Sequence, residues 1–154
     1  MFDDLRDLYQ EVILDHGRKP RNFRRLEDAD RSARGDNPMC GDRMELWLKL
    51  DEAGRIADAA FQGRGCAISM ASASLMTETV KGKTPEQAKT LGARFRELAM
   101  TGACPDCGAG FEEEMERLTP LSGVHEFPSR VKCATLAWHT LNAALDGAGE
   151  ASSE

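Results

Sequence analysis

Residues 43–62 read RMELWLKLDEAGRIADAAFQ, and this stretch decides the fold. Met44, Leu46, Leu48 and Leu50 alternate with Glu45, Trp47 and Lys49, the period-two pattern of a strand with one face on a core. The alternation predicts a strand from about Arg43 to Leu50. Asp51-Glu52-Ala53-Gly54 supplies a turn, and a second alternating run from Ile56 to Gln62 predicts the returning strand of an antiparallel hairpin.

Working outward, residues 18–42 are charged and turn-rich, with room for a short strand near Ala29 to Arg34. Before them, Leu5, Leu8, Tyr9, Val12 and Ile13 recur at helical spacing between Asp3 and His16, with Gly17 and Pro20 beyond, which predicts an amphipathic helix and its stop. After the hairpin, Gly63-Arg64-Gly65 leads into a helix from Cys66 to Lys81 that ends at Gly82. Thr84 caps the next helix, with Pro85 at its first position, lasting to about Met100. The segment TGACPDCGAG (101–110) is a loop by composition, Phe111 to Leu118 a short helix, and Ser129 caps a last helix from Arg130 to Leu145. Strands confined to one early block, with helices elsewhere, predict an α+β fold over residues 1–146. Its small antiparallel sheet of about three strands is covered by helices, and residues 147–154 (GAGEASSE) form a flexible, frayed tail.

A chain of 154 residues is enough for one core, and a hydrophobic fraction of 41% beside 14 glycines excludes disorder of the whole chain. No stretch approaches the roughly 18 apolar residues of a membrane span. The N-terminus MFDDLRDLYQ is acidic and amphipathic, unlike a signal peptide, so the expected location is cytoplasmic. With 20 Lys plus Arg against 26 Asp plus Glu, the net charge of −6 argues against nucleic acid as a partner. Five cysteines in a reducing compartment then call for metal ligation or nucleophilic chemistry rather than disulfides.

Cys40 lies in a turn held by Pro38 and Gly41, two residues before Asp42, so a thiolate and a carboxylate could chelate one ion. Cys66 and Cys133 open helices, where the helix dipole and nearby Arg130 and Lys132 favour thiolates. Three thiolates and one carboxylate would give tetrahedral Zn2+ a net charge of −2, which Arg64, Arg130 and Lys132 would partly offset. Spacing alone leaves two readings open, a shared metal site or ordinary buried cysteines, because Cys40, Cys66 and Cys133 are far apart in the chain.

The three cysteine segments, Asn37-Pro38-Met39-Cys40-Gly41-Asp42, Gly63-Arg64-Gly65-Cys66-Ala67-Ile68-Ser69 and Arg130-Val131-Lys132-Cys133-Ala134-Thr135-Leu136, resemble those of the IscU/NifU N-terminal family. The resemblance extends to the Tyr9–His16 helix end and Pro20-Arg21-Asn22-Phe23. Within that family the chain is similar to the SufU branch. Lys132 stands where IscU proteins carry a histidine ligand, Gly82 to Met100 looks like the extra SufU segment, and Phe127-Pro128-Ser129-Arg130-Val131-Lys132 replaces the intact chaperone-binding pattern. The resemblance implies a zinc-dependent sulfurtransferase of iron–sulfur cluster assembly. It would take persulfide sulfur from a SufS-type cysteine desulfurase and relay it to downstream Suf assembly proteins. It also implies zinc ligands at Cys40, Asp42, Cys66 and Cys133. Cys40 is expected to be the sulfur acceptor, because a Pro38/Gly41 turn can swing without unwinding a helix. Two alternatives use the same cysteines: a scaffold that assembles a [2Fe–2S] cluster, since thiolates and carboxylate also suit iron, and a purely structural zinc module.

Other features read as structural. The Cys104-Pro105-Asp106-Cys107 pair departs from the family pattern and is a redox pair, half a metal site or a neutral loop insertion. Gly63-Arg64-Gly65 completes no nucleotide fingerprint and serves to free the backbone beside Cys66. His16, His125 and His139 are structural or solvated, Met70 and Met76 pack in the core, and Glu112-Glu113-Glu114 is a solvated face.

Overall fold

The computed structural model describes residues 2–38, 41–102 and 110–152. The chain begins with helix α1 (Phe2–Arg18), then forms strands β1 (Arg31–Asn37), β2 (Asp42–Leu50) and β3 (Ile56–Arg64). Helices α2 (Ala67–Val80), α3 (Pro85–Thr101) and α4 (Glu112–Leu118) follow. A 3-10 helix (Thr119–Glu126) leads into α5 (Pro128–Asp146), and β4 (Glu150–Ser152) closes the described chain. The class is α+β, and the sheet order is β3-β2-β1-β4.

The hairpin forms because its inward positions carry the apolar side chains, while the outward pair Trp47↔Ala60 departs from the expected alternation and is buried as well. Met44, Leu46 and Leu48 of β2 are buried toward the helices, and β2 pairs antiparallel with β3 through Leu46↔Phe61 and Leu48↔Ala59. β1 pairs antiparallel with β2 from Arg31↔Leu48 to Asn37↔Asp42, so the expected short strand is shifted and longer. Its inward residues are Ala33, Gly35 and Asn37, small or polar, and they leave little hydrophobic signal. Gly35 has a packing reason: a Cβ there would collide with the Thr140 hydroxyl, so α5 lies directly on β1. The sheet has four described strands rather than about three, because Glu150–Ser152 in the C-terminal tail runs parallel to β1.

Helix boundaries follow local chemistry. The hydroxyl of Thr84 accepts the Gln87 N–H at 3.1 Å, and the Gln87 side chain accepts the Thr84 N–H at 3.0 Å, a complete capping box with Pro85 inside the first turn. The last helix departs from expectation. It starts at Pro128, its N-cap is Phe127 without any side-chain cap, and Ser129 lies inside the first turn. Proline at a first helical position needs no N–H partner, and it sets the start ahead of the serine.

The helices close over one face of the sheet. Phe95 of α3 stacks on Trp138 of α5 at a centroid distance of 5.5 Å, with Gly92 leaving room for the indole. The Ser72 hydroxyl donates to Ala134 O, joining α2 to α5. Phe61, Phe95, Leu46, Leu48, Met76 and Leu141 are fully buried in this core. Met70 packs against the core from its edge. At roughly 25 cal/mol per Å2 of apolar surface removed from water, burial of such side chains dominates the fold's stability.

A short segment closes the outer edge of β3. Asn22, at φ 61°, accepts the Phe61 N–H through its carbonyl at 3.0 Å, and Arg24 N–H donates to Phe61 O at 3.0 Å. Phe23 packs edge-on to Phe61 at 5.3 Å. The Asn22 side chain donates to Thr77 Oγ1 and accepts from Lys81 Nζ, which ties the same segment to α2.

Candidate metal centre

Three elements deliver three donors to one point. Asp42 is the first residue of β2 and 1% exposed, Cys66 caps α2, and Cys133 lies on the inner face of α5. One ligand atom from each lies within 4.8 Å of the others. The β1–β2 turn brings Asp42 into place, with Gly41 at φ 72° and its N–H donated to Asn37 O at 2.8 Å.

Asp42 Oδ1 accepts the backbone N–H of Cys66 at 3.0 Å, while its Oδ2 is buried without a hydrogen-bond partner among the described residues. A buried carboxylate oxygen without a donor is costly unless a cation satisfies it. The donor set of one carboxylate and two sulfurs suits Zn2+ or iron, so the residues fit a bound metal. Gly65 leaves the space that this requires: a Cβ there would lie 2.5 Å from Asp42 Oδ1 and 3.0 Å from Ser69 Oγ.

The two thiols are prepared differently. Cys66 Sγ accepts the Ser69 N–H at 3.4 Å from a true N-cap position, where unpaired amides favour negative charge. Cys133 is buried and its Sγ donates to Ser129 O at 3.6 Å. Because α5 starts at Pro128 rather than Arg130, Cys133 is two residues, about half a turn, deeper than the sequence suggests and lies past the first turn, where the helix dipole acts. Positive charge comes instead from Arg130, whose guanidinium is held protonated first by Cys66, through charge and a hydrogen bond, and then by Cys133.

The other expected site residues are placed as follows. Lys132 is exposed on α5. Arg64 is exposed and lines a cleft on the far face of the sheet, together with Arg43. Cys40, the expected sulfur acceptor and fourth ligand, lies outside the described residues, as do Cys104 and Cys107. Sequence reasoning missed the role of Gly65 as the gap beside Asp42. The signal available was a glycine at every second position, Gly63 and Gly65, where β3 ends against Asp42 and Met44.

The histidines serve the fold. His16 Nδ1 lies 2.7 Å from Ser74 Oγ, and burial pushes its pKa below the ordinary value. His139 is likewise held down, first by burial and then by Arg96. His125 Nδ1 meets Ser122 O at 2.9 Å.

This fold and site define a small α+β domain that gathers cysteines and a carboxylate at one end of its sheet. The model of the NifU-like N-terminal domain family matches residues 8–110, and the chain belongs to that family. It is 41% identical over 140 residues to the zinc-dependent sulfurtransferase SufU of Bacillus subtilis (strain 168), covering 90% of this chain and 89% of that one. It is 39% identical over 141 residues to the iron–sulfur cluster assembly scaffold protein IscU of Streptococcus pyogenes serotype M1, covering 92% and 84%. Among solved structures, a candidate cluster assembly scaffold protein for the SUF system from Fervidobacterium islandicum AW-1 superposes with a TM-score of 0.78 at 30% identity, covering 88% of this chain and 94% of that one.

Proposed function

We propose that this protein is a zinc-dependent sulfurtransferase of iron–sulfur cluster assembly. It accepts persulfide sulfur from a cysteine desulfurase of the SufS type and relays it to downstream Suf assembly proteins in the cytoplasm. The observation that carries this reading is the convergence of Asp42, Cys66 and Cys133 within 4.8 Å, together with an Asp42 carboxylate oxygen that is buried and unpaired among the described residues. It is supported by 41% identity over 90% of the chain to a protein named for zinc and sulfur transfer. Among the described residues, no helix is long and apolar enough to cross a membrane.

Asp42, Cys66 and Cys133 would hold the metal, with Cys40 as fourth donor. When bound, zinc supplies a redox-inert positive charge that keeps thiolates deprotonated. Asp42 fixes the Cys66 amide, and Arg130 offsets the negative charge of the sulfurs. Cys40, bracketed by Pro38 and the left-handed Gly41, is the acceptor. Its thiolate attacks the outer sulfur of the desulfurase persulfide. A Cys40 S–S bond forms, the desulfurase S–S bond breaks, and the desulfurase cysteine departs as thiolate. One sulfur atom moves and no external oxidant or reductant is consumed.

Mass spectrometry after incubation with desulfurase and cysteine tests the assignment. Persulfide on Cys40, and loss of desulfurase stimulation in Cys40→Ala with part of the zinc retained, is expected. Persulfide confined to Cys66, Cys133 or Cys104 rejects it. The scaffold reading rests on the 39% identity to a protein named IscU, and a brown protein with stoichiometric iron and no zinc would favour it. Zinc without any stimulation of desulfurase would leave a structural zinc module.

A further inference from the structure

The outer face of the sheet, away from the helices, carries a cleft of about 690 Å3 that spans all four strands at the end nearest the metal centre. Strand register arranges its side chains in rows. In one row Glu150, Arg34, Glu45 and Gln62 stand side by side across β4, β1, β2 and β3. Arg34 Nε lies 3.7 Å from Glu45 Oε1, so this row satisfies its own cation. In the next row Asp36 faces Arg43, and Arg43 faces Arg64 directly across the β2–β3 pair.

That second row holds two cations against one anion, and Asp36, opposite Arg43 but outside ion-pair distance, offsets only part of the repulsion between the two arginines. Directly opposed residues of an antiparallel pair have Cβ atoms about 4.5–5.5 Å apart, and like charges there destabilise the pairing. Arg43 and Arg64 are both exposed, and neither is ion-paired or hydrogen-bonded through its side chain among the described residues. Core packing calls for arginine at neither position, since both side chains leave the sheet on its solvent face. An anion between the two guanidiniums removes the repulsion, and a carboxylate matches their planar donor geometry.

Position says whose carboxylate it is. Arg43 directly follows Asp42, and Arg64 precedes Cys66 by two residues, so a group held there lies beside the strand ends that carry the metal ligands. The chain as a whole is at −6 and the cleft lining sets Arg34, Arg43 and Arg64 against Asp36, Glu45 and Glu150, so an acidic partner group is attracted only locally, at the Arg43–Arg64 pair that makes no ion pair among the described residues.

We propose that Arg43 and Arg64 form a docking point for an acidic, carboxylate-bearing segment of the sulfur-donating desulfurase, aligning that partner with the cysteines across the sheet end. This rests on the sulfur-acceptor reading above. The pair contributes to encounter and register, while the chemistry stays with the cysteines.

The test titrates the zinc-loaded, full-length protein against a SufS-type desulfurase supplied with cysteine, at low and at moderate salt. Arg43→Glu, and Arg43→Glu combined with Arg64→Glu, are expected to raise the concentration giving half-maximal stimulation tenfold or more. The double variant is expected to show a flatter salt dependence than the parent. Arg55→Glu makes the same charge change on the exposed hairpin loop and is expected to match the parent. Zinc content and melting temperature, measured alongside, check that each variant is folded and loaded. Half-saturation unchanged in the double variant overturns the proposal. So does lost zinc or lost maximal stimulation at unchanged half-saturation, which would assign the arginines to the metal centre. Self-association of the parent that the double variant abolishes also overturns it, since a second copy would then be the occupant. A parent that stimulates no desulfurase overturns the sulfur-acceptor reading together with the docking role, whereas normal parental stimulation beside an unaffected double variant removes the docking role alone.

Discussion

The carboxylate of Asp42 receives the backbone N–H of Cys66 at 3.0 Å, so the first residue of β2 holds in place the residue that caps α2. One side chain thereby couples a strand start to a helix start, and it does so with only one of its two oxygens. The other oxygen is buried without a hydrogen-bond partner among the described residues, and one carboxylate oxygen lies within 4.8 Å of both sulfurs, so the proposed metal chemistry would depend on holding this carboxylate in place.

Gly65→Ala tests that dependence. The added methyl would lie 2.5 Å from Asp42 Oδ1 and 3.0 Å from its Cγ, forcing the carboxylate to turn. Zinc affinity is expected to fall about 10- to 100-fold, the range typical of lost support around a metal ligand, measured by chelator competition. Gly123→Ala, where a Cβ meets nothing within 4 Å, is the control and leaves affinity unchanged. Equal affinities in the two variants would contradict the steric role of Gly65.

Metal removal is expected to lower the melting temperature, because one ion would tie β2, the start of α2 and α5 together. With free zinc at about 100 times its Kd, linkage amounts to about 2.7 kcal/mol. For a chain of this size that corresponds to a shift of roughly 5–10 °C. Calorimetry with and without a chelator reads it, and coincident transitions would show that the ion does not join these elements.

Arg130 is exposed yet set against both sulfurs, so any contribution it makes to holding a metal would be screened by salt. Arg130→Ala is expected to weaken zinc several-fold at low salt and less at high salt, with Arg130→Lys in between. An affinity for Arg130→Ala that matches the parent at low salt would remove this role.

His16 makes stability pH-dependent. Burial holds its folded pKa below the ordinary value of about 6.5. The unfolded chain therefore binds a proton first as pH falls below that value, and folded stability drops until the folded pKa is passed. His139 acts with the same sign. His16→Asn is expected to flatten part of the decline in melting temperature between pH 7.5 and 5, and an identical slope in parent and variant would rule out the assignment.

Legibility in the sequence followed the strength of local chemistry. The β2–β3 hairpin and the Thr84–Gln87 capping box were readable because alternation and capping act within a few residues. The true extent of β1 was hidden: Arg31–Asn37 contains no β-branched or large apolar residue, and its strand character comes from pairing with β2 and contact with α5. β4 was hidden for the same reason, since Glu150–Ser152 is a strand only because β1 is beside it. At the candidate metal centre, residue types nominated Asp42, Cys66 and Cys133, and the cysteine motifs grouped them. The depth of Cys133 in α5 was misread because Pro128, rather than Ser129, begins that helix.

The Asn22–Arg24 clamp has a consequence for life at high concentration. An unpaired strand edge is a template on which other chains can add. Here one edge of the sheet ends in a three-residue strand, and the middle of the other is already occupied by Asn22 and Arg24 bonding to Phe61. Asn22 holds this arrangement from a left-handed backbone conformation while its amide grips Thr77 and Lys81. The sides of the sheet thereby offer little free template for strand addition, and on the β3 side that protection rests on the two backbone hydrogen bonds of Asn22 and Arg24 to Phe61.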